Sequence, residues 1–111
     1  MINFPRVAVT LLSIFLLSAC GATNVKMGRD FDVDAFATKV EQGVTDQDTV
    51  RSWLGEPASA GSSRATDGER FDEWTYYFAE GQNMSNAKVK VLQIKFNLGG
   101  RVRAYSWTVS K

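Results

Sequence analysis

Residues 71–80 read FDEWTYYFAE, and the alternation inside them decides the fold class. Trp74, Tyr76 and Phe78 fall on one face of an extended chain, and Thr75 and Tyr77 fall on the other. A period of two in aromatic and β-branched residues predicts a strand over about 71–79. Downstream, KVKVLQIKFN sends Leu92, Ile94 and Phe96 one way and Gln93 and Lys95 the other. Val89 and Val91 are out of phase with that set. Either both faces are partly covered there, or a bulge shifts the register near Val91. NLGG at 97–100 has the composition of a hairpin turn, and RVRAYSWTV supplies a third strand.

Upstream the period becomes helical. Val33, Phe36 and Val40 share a stripe at spacings of three and four, predicting a helix over 33–41 capped by Asp32 or Asp34 and followed by Gly43. In TDQDTVRSWLGEP, Thr45 is placed to cap a second helix, with Asp46 and Asp48 in its first turn. Asp48, three residues after Thr45, gives a weak form of the capping box. Val50, Trp53 and Leu54 form the apolar face, and Gly55 and Pro57 end the helix. The stretch ASAGSSRATDGER at 58–70 reads as a loop. The expected architecture is therefore α+β: two short helices, as a helical hairpin, packed on a three-stranded antiparallel meander sheet.

With 111 residues, 44% apolar content and 12% aromatics, the chain has room for one small domain. Its single cysteine has no intrachain partner, so no disulfide supports that domain. Residues 1–19 have another character: Arg6 near the start, an apolar run from Val7 to Leu17 broken by Thr10 and Ser13, then the small residues Ser18 and Ala19. This is the order of a secretory signal peptide. The run is shorter than the roughly 20 residues that span a bilayer, which argues against an uncleaved anchor. Leu17, Ser18, Ala19 and Cys20 resemble the bacterial lipobox recognised by signal peptidase II. That resemblance implies that Cys20 becomes the acylated first residue of the mature protein, with diacylglycerol on its sulfur and an acyl chain, such as palmitate, on its amine. Several chains anchor far better than one, because each buried methylene contributes about 0.8 kcal/mol. Gly21 stands where an aspartate would resemble the inner-membrane retention signal, so outer-membrane placement facing the periplasm is expected. Residues 20–30 then read as a lipidated cysteine and flexible tether, and residues 31–111 as the folded domain.

The chemistry-bearing residue types are sparse. There is no histidine, so the usual nucleophile–base and metal-ligand sets are missing and no cofactor is expected beyond the lipid on Cys20. Asp67, Glu69, Asp72 and Glu73 do not match a calcium loop and read as a solvated acidic loop. Charge is unevenly placed. Residues 30–80 hold 12 acidic and 4 basic side chains, a balance of −8, whereas residues 81–111 hold 6 basic and none acidic. Among the basic set, Lys88, Lys90, Lys95, Arg101 and Arg103 lie on the last two strands, and Arg101 and Arg103 share strand parity with Tyr105 and Trp107. An open face of that kind suits a protein partner or anionic lipid headgroups. The competing reading packs Tyr105 and Trp107 under the helices, with the lysines keeping the sheet edge soluble. Nucleic acid is a poor partner for an exported, membrane-tethered chain.

The run GVTDQDTVRSWLGEP, then EWTYYF, then VLQIKFNLGGRV resembles the Gly-x-Thr…Val…Leu-Gly-x-Pro…Trp-x-Tyr-x-Phe…Phe-x-x-x-Gly-x-Val pattern of the SmpA/OmlA (BamE-like) lipoproteins. The matching positions are Gly43, Thr45, Val50, Leu54, Gly55, Pro57, Trp74, Tyr76, Phe78, Phe96, Gly100 and Val102. The resemblance covers about residues 31–109 and implies a non-catalytic accessory subunit of the machine that inserts β-barrel proteins into the outer membrane. Related domains also serve as stand-alone binding or inhibitory modules in the periplasm, including inhibitors of β-lactamases. Read one by one, the motif residues are capping and core residues, so they specify a fold more firmly than a function.

Overall fold

The structure is a computed structural model that describes residues 24–83 and 85–110. The segment expected to be a signal peptide, with Leu17, Ser18, Ala19 and Cys20, lies outside the described residues. The chain runs β1 (Val25–Gly28), α1 (Val33–Lys39), α2 (Gln47–Leu54), β2 (Ser59–Arg64), β3 (Arg70–Gly81), β4 (Lys88–Phe96) and β5 (Val102–Ser110).

β3 is the spine of an antiparallel sheet. On one side it pairs with β4 in a continuous register from Asp72↔Phe96 to Glu80↔Lys88, and β4 in turn pairs with β5. On the other side two short strands share its length: β2 pairs with residues 70–75 and β1 with residues 78–81. The chain is α+β, but the sheet has five strands rather than the expected three, and this corrects the sequence-based architecture. The two additional strands come from segments read as tether and loop. VKMG and SAGSSR carry almost no alternation of apolar and polar residues. They are held by backbone pairing to a strand that supplies the pattern.

The helices also differ from the expected hairpin. They do not pair along their lengths. Each lays its apolar side on the sheet, and they meet through the rings of Phe36 and Trp53, with centroids 6.4 Å apart. α1 ends at Lys39, two residues before the expected boundary, and Asp32 caps it by accepting the Ala35 N–H at 3.0 Å. α2 is capped by Asp46, which accepts the Thr49 N–H at 2.9 Å, and not by Thr45. Those contacts, the Thr49 backbone first, hold the Asp46 carboxyl below its ordinary value of 3.8. The Thr45 hydroxyl instead turns back to accept the Glu41 N–H, and Thr45 is buried.

The loop between the helices is stitched to the β4–β5 turn. The Gly43 N–H donates to the Val102 carbonyl, Val102 N–H to Thr45, and Gln47 N–H to Gly100. Four motif positions therefore meet at one corner of the domain. Of the rest of the motif, Val50, Trp74, Tyr76, Phe78 and Phe96 are buried in the core between helices and sheet beside Val102, Leu54 packs half-buried against it, and Gly55 and Pro57 lie half-buried past the end of α2. Tyr76 also donates its hydroxyl to the Gly55 carbonyl at 2.8 Å, joining the end of α2 to β3. Burial pushes its phenol up to about 12.

Candidate functional site

The residues that sequence reading gathered into one basic, aromatic face are dispersed by the fold. The deciding feature is a bulge. Phe96 pairs with Val102, but Lys95 pairs with Ala104, so Arg103 is an extra residue in β5. One extra residue reverses parity for everything after it. Tyr105 and Trp107 pair with Ile94 and Leu92 and lie on the helix-covered side of the sheet; Arg101 and Arg103 do not share their face. The other bulge considered, near Val91, is not there: the β3–β4 register is unbroken, and Val89 and Val91 are half-buried on the side away from the helices.

Each cation has a different neighbour. Arg101 donates from Nη1 to the Val44 carbonyl at 3.1 Å, and Arg103 approaches Glu69 at 3.7 Å. Lys95 lies over Phe71 on the side away from the helices, 5.8 Å from its ring centre. Lys88 is exposed and pairs in register with Glu80. Lys90 is drawn inward. Its Nζ donates to Asp30 Oδ1 at 2.8 Å and to the Phe31 carbonyl at 2.9 Å, close to the rings of Phe31 and Phe78. That contact, more than any other, holds the Asp30 carboxyl below 3.8. Lys90 is therefore a clasp for the segment after β1.

What the fold does bring together is aromatic. Trp53 of α2, Phe36 of α1, and Tyr105 and Trp107 of β5 form a continuous stripe. Phe36 meets Tyr105 edge-on at 5.3 Å and 89°, and Tyr105 stacks on Trp107 at 5.9 Å and 14°. Lys39 Nζ lies 5.6 Å from the Trp53 ring centre. The stripe begins in the core and ends at the sheet edge, where Trp107 is 46% and Val109 48% exposed. Tyr105 packs against the helix core, while Trp107 runs past it into solvent. The β5 alternation was visible in the sequence; the bulge that assigns its faces was not.

Several surface depressions exist. The one against β5 is a shallow cleft of about 240 Å³ lined by Glu73, Gln93, Lys95, Ala104, Tyr105 and Ser106. It pairs one carboxylate with one ammonium and holds no nucleophile–base pair. Among the described residues no group of three or more His, Cys, Asp or Glu side chains comes together as a metal site. No described helix is long and apolar enough to cross a membrane. No protein-family model matches this chain, and no curated protein matches it.

Proposed function

We propose that this chain is a non-catalytic outer-membrane lipoprotein that acts through protein–protein contacts, as an accessory scaffold in β-barrel assembly and envelope integrity. The observation that carries the reading is the sequence Leu17-Ser18-Ala19-Cys20 placed just ahead of the first strand, which begins at Val25. Five residues of extended chain reach at most about 18 Å, so acylation of Cys20 would hold the β1 end of the sheet close to the membrane surface. The SmpA/OmlA-like motif run supports the assembly role. Most of its residues fill the core or the corner where Gly43, Thr45, Gly100 and Val102 meet, which leaves partner recognition to the surface.

The Cys20→Ala variant separates anchoring from folding. It loses palmitate labelling and leaves the membrane fraction while keeping its circular-dichroism spectrum. A variant still labelled and membrane-bound would overturn the lipoprotein reading. Affinity purification of the lipidated protein tests the scaffold role: the barrel-insertion machine is co-enriched. Its absence, together with an unaltered outer membrane after deletion, would remove that role and leave the anchor intact.

A further inference from the structure

We infer that the free edge of β5 is a self-association surface, on which a second copy of this chain adds its own β5 in antiparallel fashion. Beyond the bulge, the seven residues Ala104–Ser110 at roughly 3.4 Å each give a seam about 24 Å long. Among the described residues, no other strand pairs with the outer side of β5. A strand edge presents unpaired N–H and C=O groups, and proteins ordinarily blunt such an edge with charge, proline, a bulge, shortness or a covering loop. The start of β5 is protected, by the bulge and charge at Arg103 and by the loop bonded to Val102, but Ala104–Ser110 carries none of these devices.

Three features favour a second copy as the occupant. First, the strand is complementary to itself. An antiparallel pair centred near Ser106 sets Tyr105 of one copy beside Trp107 of the other on the helix side, extending the aromatic stripe into a four-ring cluster across the seam. Second, the charge pattern selects the antiparallel direction. Parallel pairing would oppose the two Arg103 side chains; antiparallel pairing sends them to opposite ends of the seam. Third, the exposed apolar side chains of the strand, Trp107 and Val109, lie along this same edge and would be covered. The interface is isologous and closes on itself, so it stops at a dimer. An edge-only contact belongs to the small class of interfaces, and the dimer forms reversibly with concentration. The inference stands whether or not Cys20 is acylated.

Cysteine crosslinking tests it in the full chain carrying Cys20→Ala, so that each engineered thiol is the only one. Ala104→Cys, Ser106→Cys and Thr108→Cys are made singly along β5, and Gly61→Cys on the opposite edge serves as the comparison, since a Cβ there meets nothing. Under mild oxidation at least one β5 variant forms disulfide dimers ten or more times faster than Gly61→Cys. Adding Trp107→Lys to that variant returns it to the Gly61→Cys rate, while circular dichroism reports an unchanged fold. If all four variants crosslink at the same rate, or if Trp107→Lys leaves the β5 rate unaltered, the inference fails. Crosslinking in a membrane extract to a different protein, with no dimer, would also overturn it and would show that another chain's strand occupies the edge.

Discussion

The two edges of the sheet are built on opposite plans. One is formed by β1 and β2 end to end: ten residues, VKMG and SAGSSR, interrupted twice by glycine, carrying Lys26 and Arg64, and divided into pieces of four and six. The other is β5, nine residues bulged at Arg103 and regular from Ala104 to Ser110, rich in β-branched and aromatic side chains with a single charge. The first edge offers a partner strand too little continuous backbone and too few apolar side chains to dock on. The second offers both. Opposed edges of one sheet thus show which is finished within the chain and which is available to something else.

Breaking the finished edge is the largest effect expected. Gly28 has φ of 76°, and a Cβ built on it would fall on the Tyr77 carbonyl oxygen, so the residue must be glycine for β1 to dock. Gly28→Val combines a disfavoured backbone with a direct overlap and costs about 3 kcal/mol. Hydrogen exchange at residues 78–81 rises with it, because β1 detaches. Gly61→Val on the same edge has ordinary backbone angles and open space, and changes stability by under about 0.5 kcal/mol. Denaturant titration of the two variants checks the contrast; equal losses would show that the edge does not depend on the docking of β1.

A smaller effect comes from the clasp that follows β1. The Asp30 carboxylate accepts from Lys90 and from the Phe31 N–H, and its lowered pKa means that the native state favours the charged form. The sign follows: this stabilisation is complete above the unfolded value near 3.8 and is lost as pH falls from there through the lower folded value. Asp30→Asn therefore melts below the natural chain at pH 7, and the gap between their Tm values narrows towards pH 3. Asp30 is exposed, so solvent screening keeps the gap modest. A gap that is independent of pH would mean that Lys90 does not clasp this carboxylate.

Much of the interior was legible because its residues obey a period. The alternation in FDEWTYYFAE placed Trp74, Tyr76 and Phe78 in the core, and the spacing of Val33, Phe36 and Val50 oriented both helices. β1 and β2 escaped for a physical reason. Small and polar residues such as SAGSSR have no preferred face, and their structure comes from the ladder on β3 rather than from their side chains. The cap of α2 was misplaced by one residue because Thr45 and Asp46 are both capable acceptors, and what decides between them is the distant pairing of Thr45 with Val102. The candidate site was least legible. Sequence reading grouped Arg101 and Arg103 with Tyr105 and Trp107, but one inserted residue at Arg103 separates the two groups, and nothing local in RVRAYSWTV announces a bulge.

The smallest expected effect concerns Ser63, near the β2 end of the finished edge. Its Oγ is buried without a hydrogen-bond partner among the described residues, on a strand position paired with Phe71. A buried hydroxyl with no partner loses its hydration and gains nothing in return, a cost of about 1–3 kcal/mol when fully desolvated. Removing the hydroxyl leaves a cavity of only one atom, which offsets part of that gain. Ser63→Ala is therefore neutral to stabilising, by up to about 1 kcal/mol, in a thermal or denaturant melt. At Ser106, on the exposed edge, the same serine-to-alanine change relieves no such burden and leaves the melt where it is. A clear loss of stability in Ser63→Ala would mean that the hydroxyl is bridged by water to the ladder, and the β2 edge would then be less completely closed by its own chain than the contrast with β5 requires.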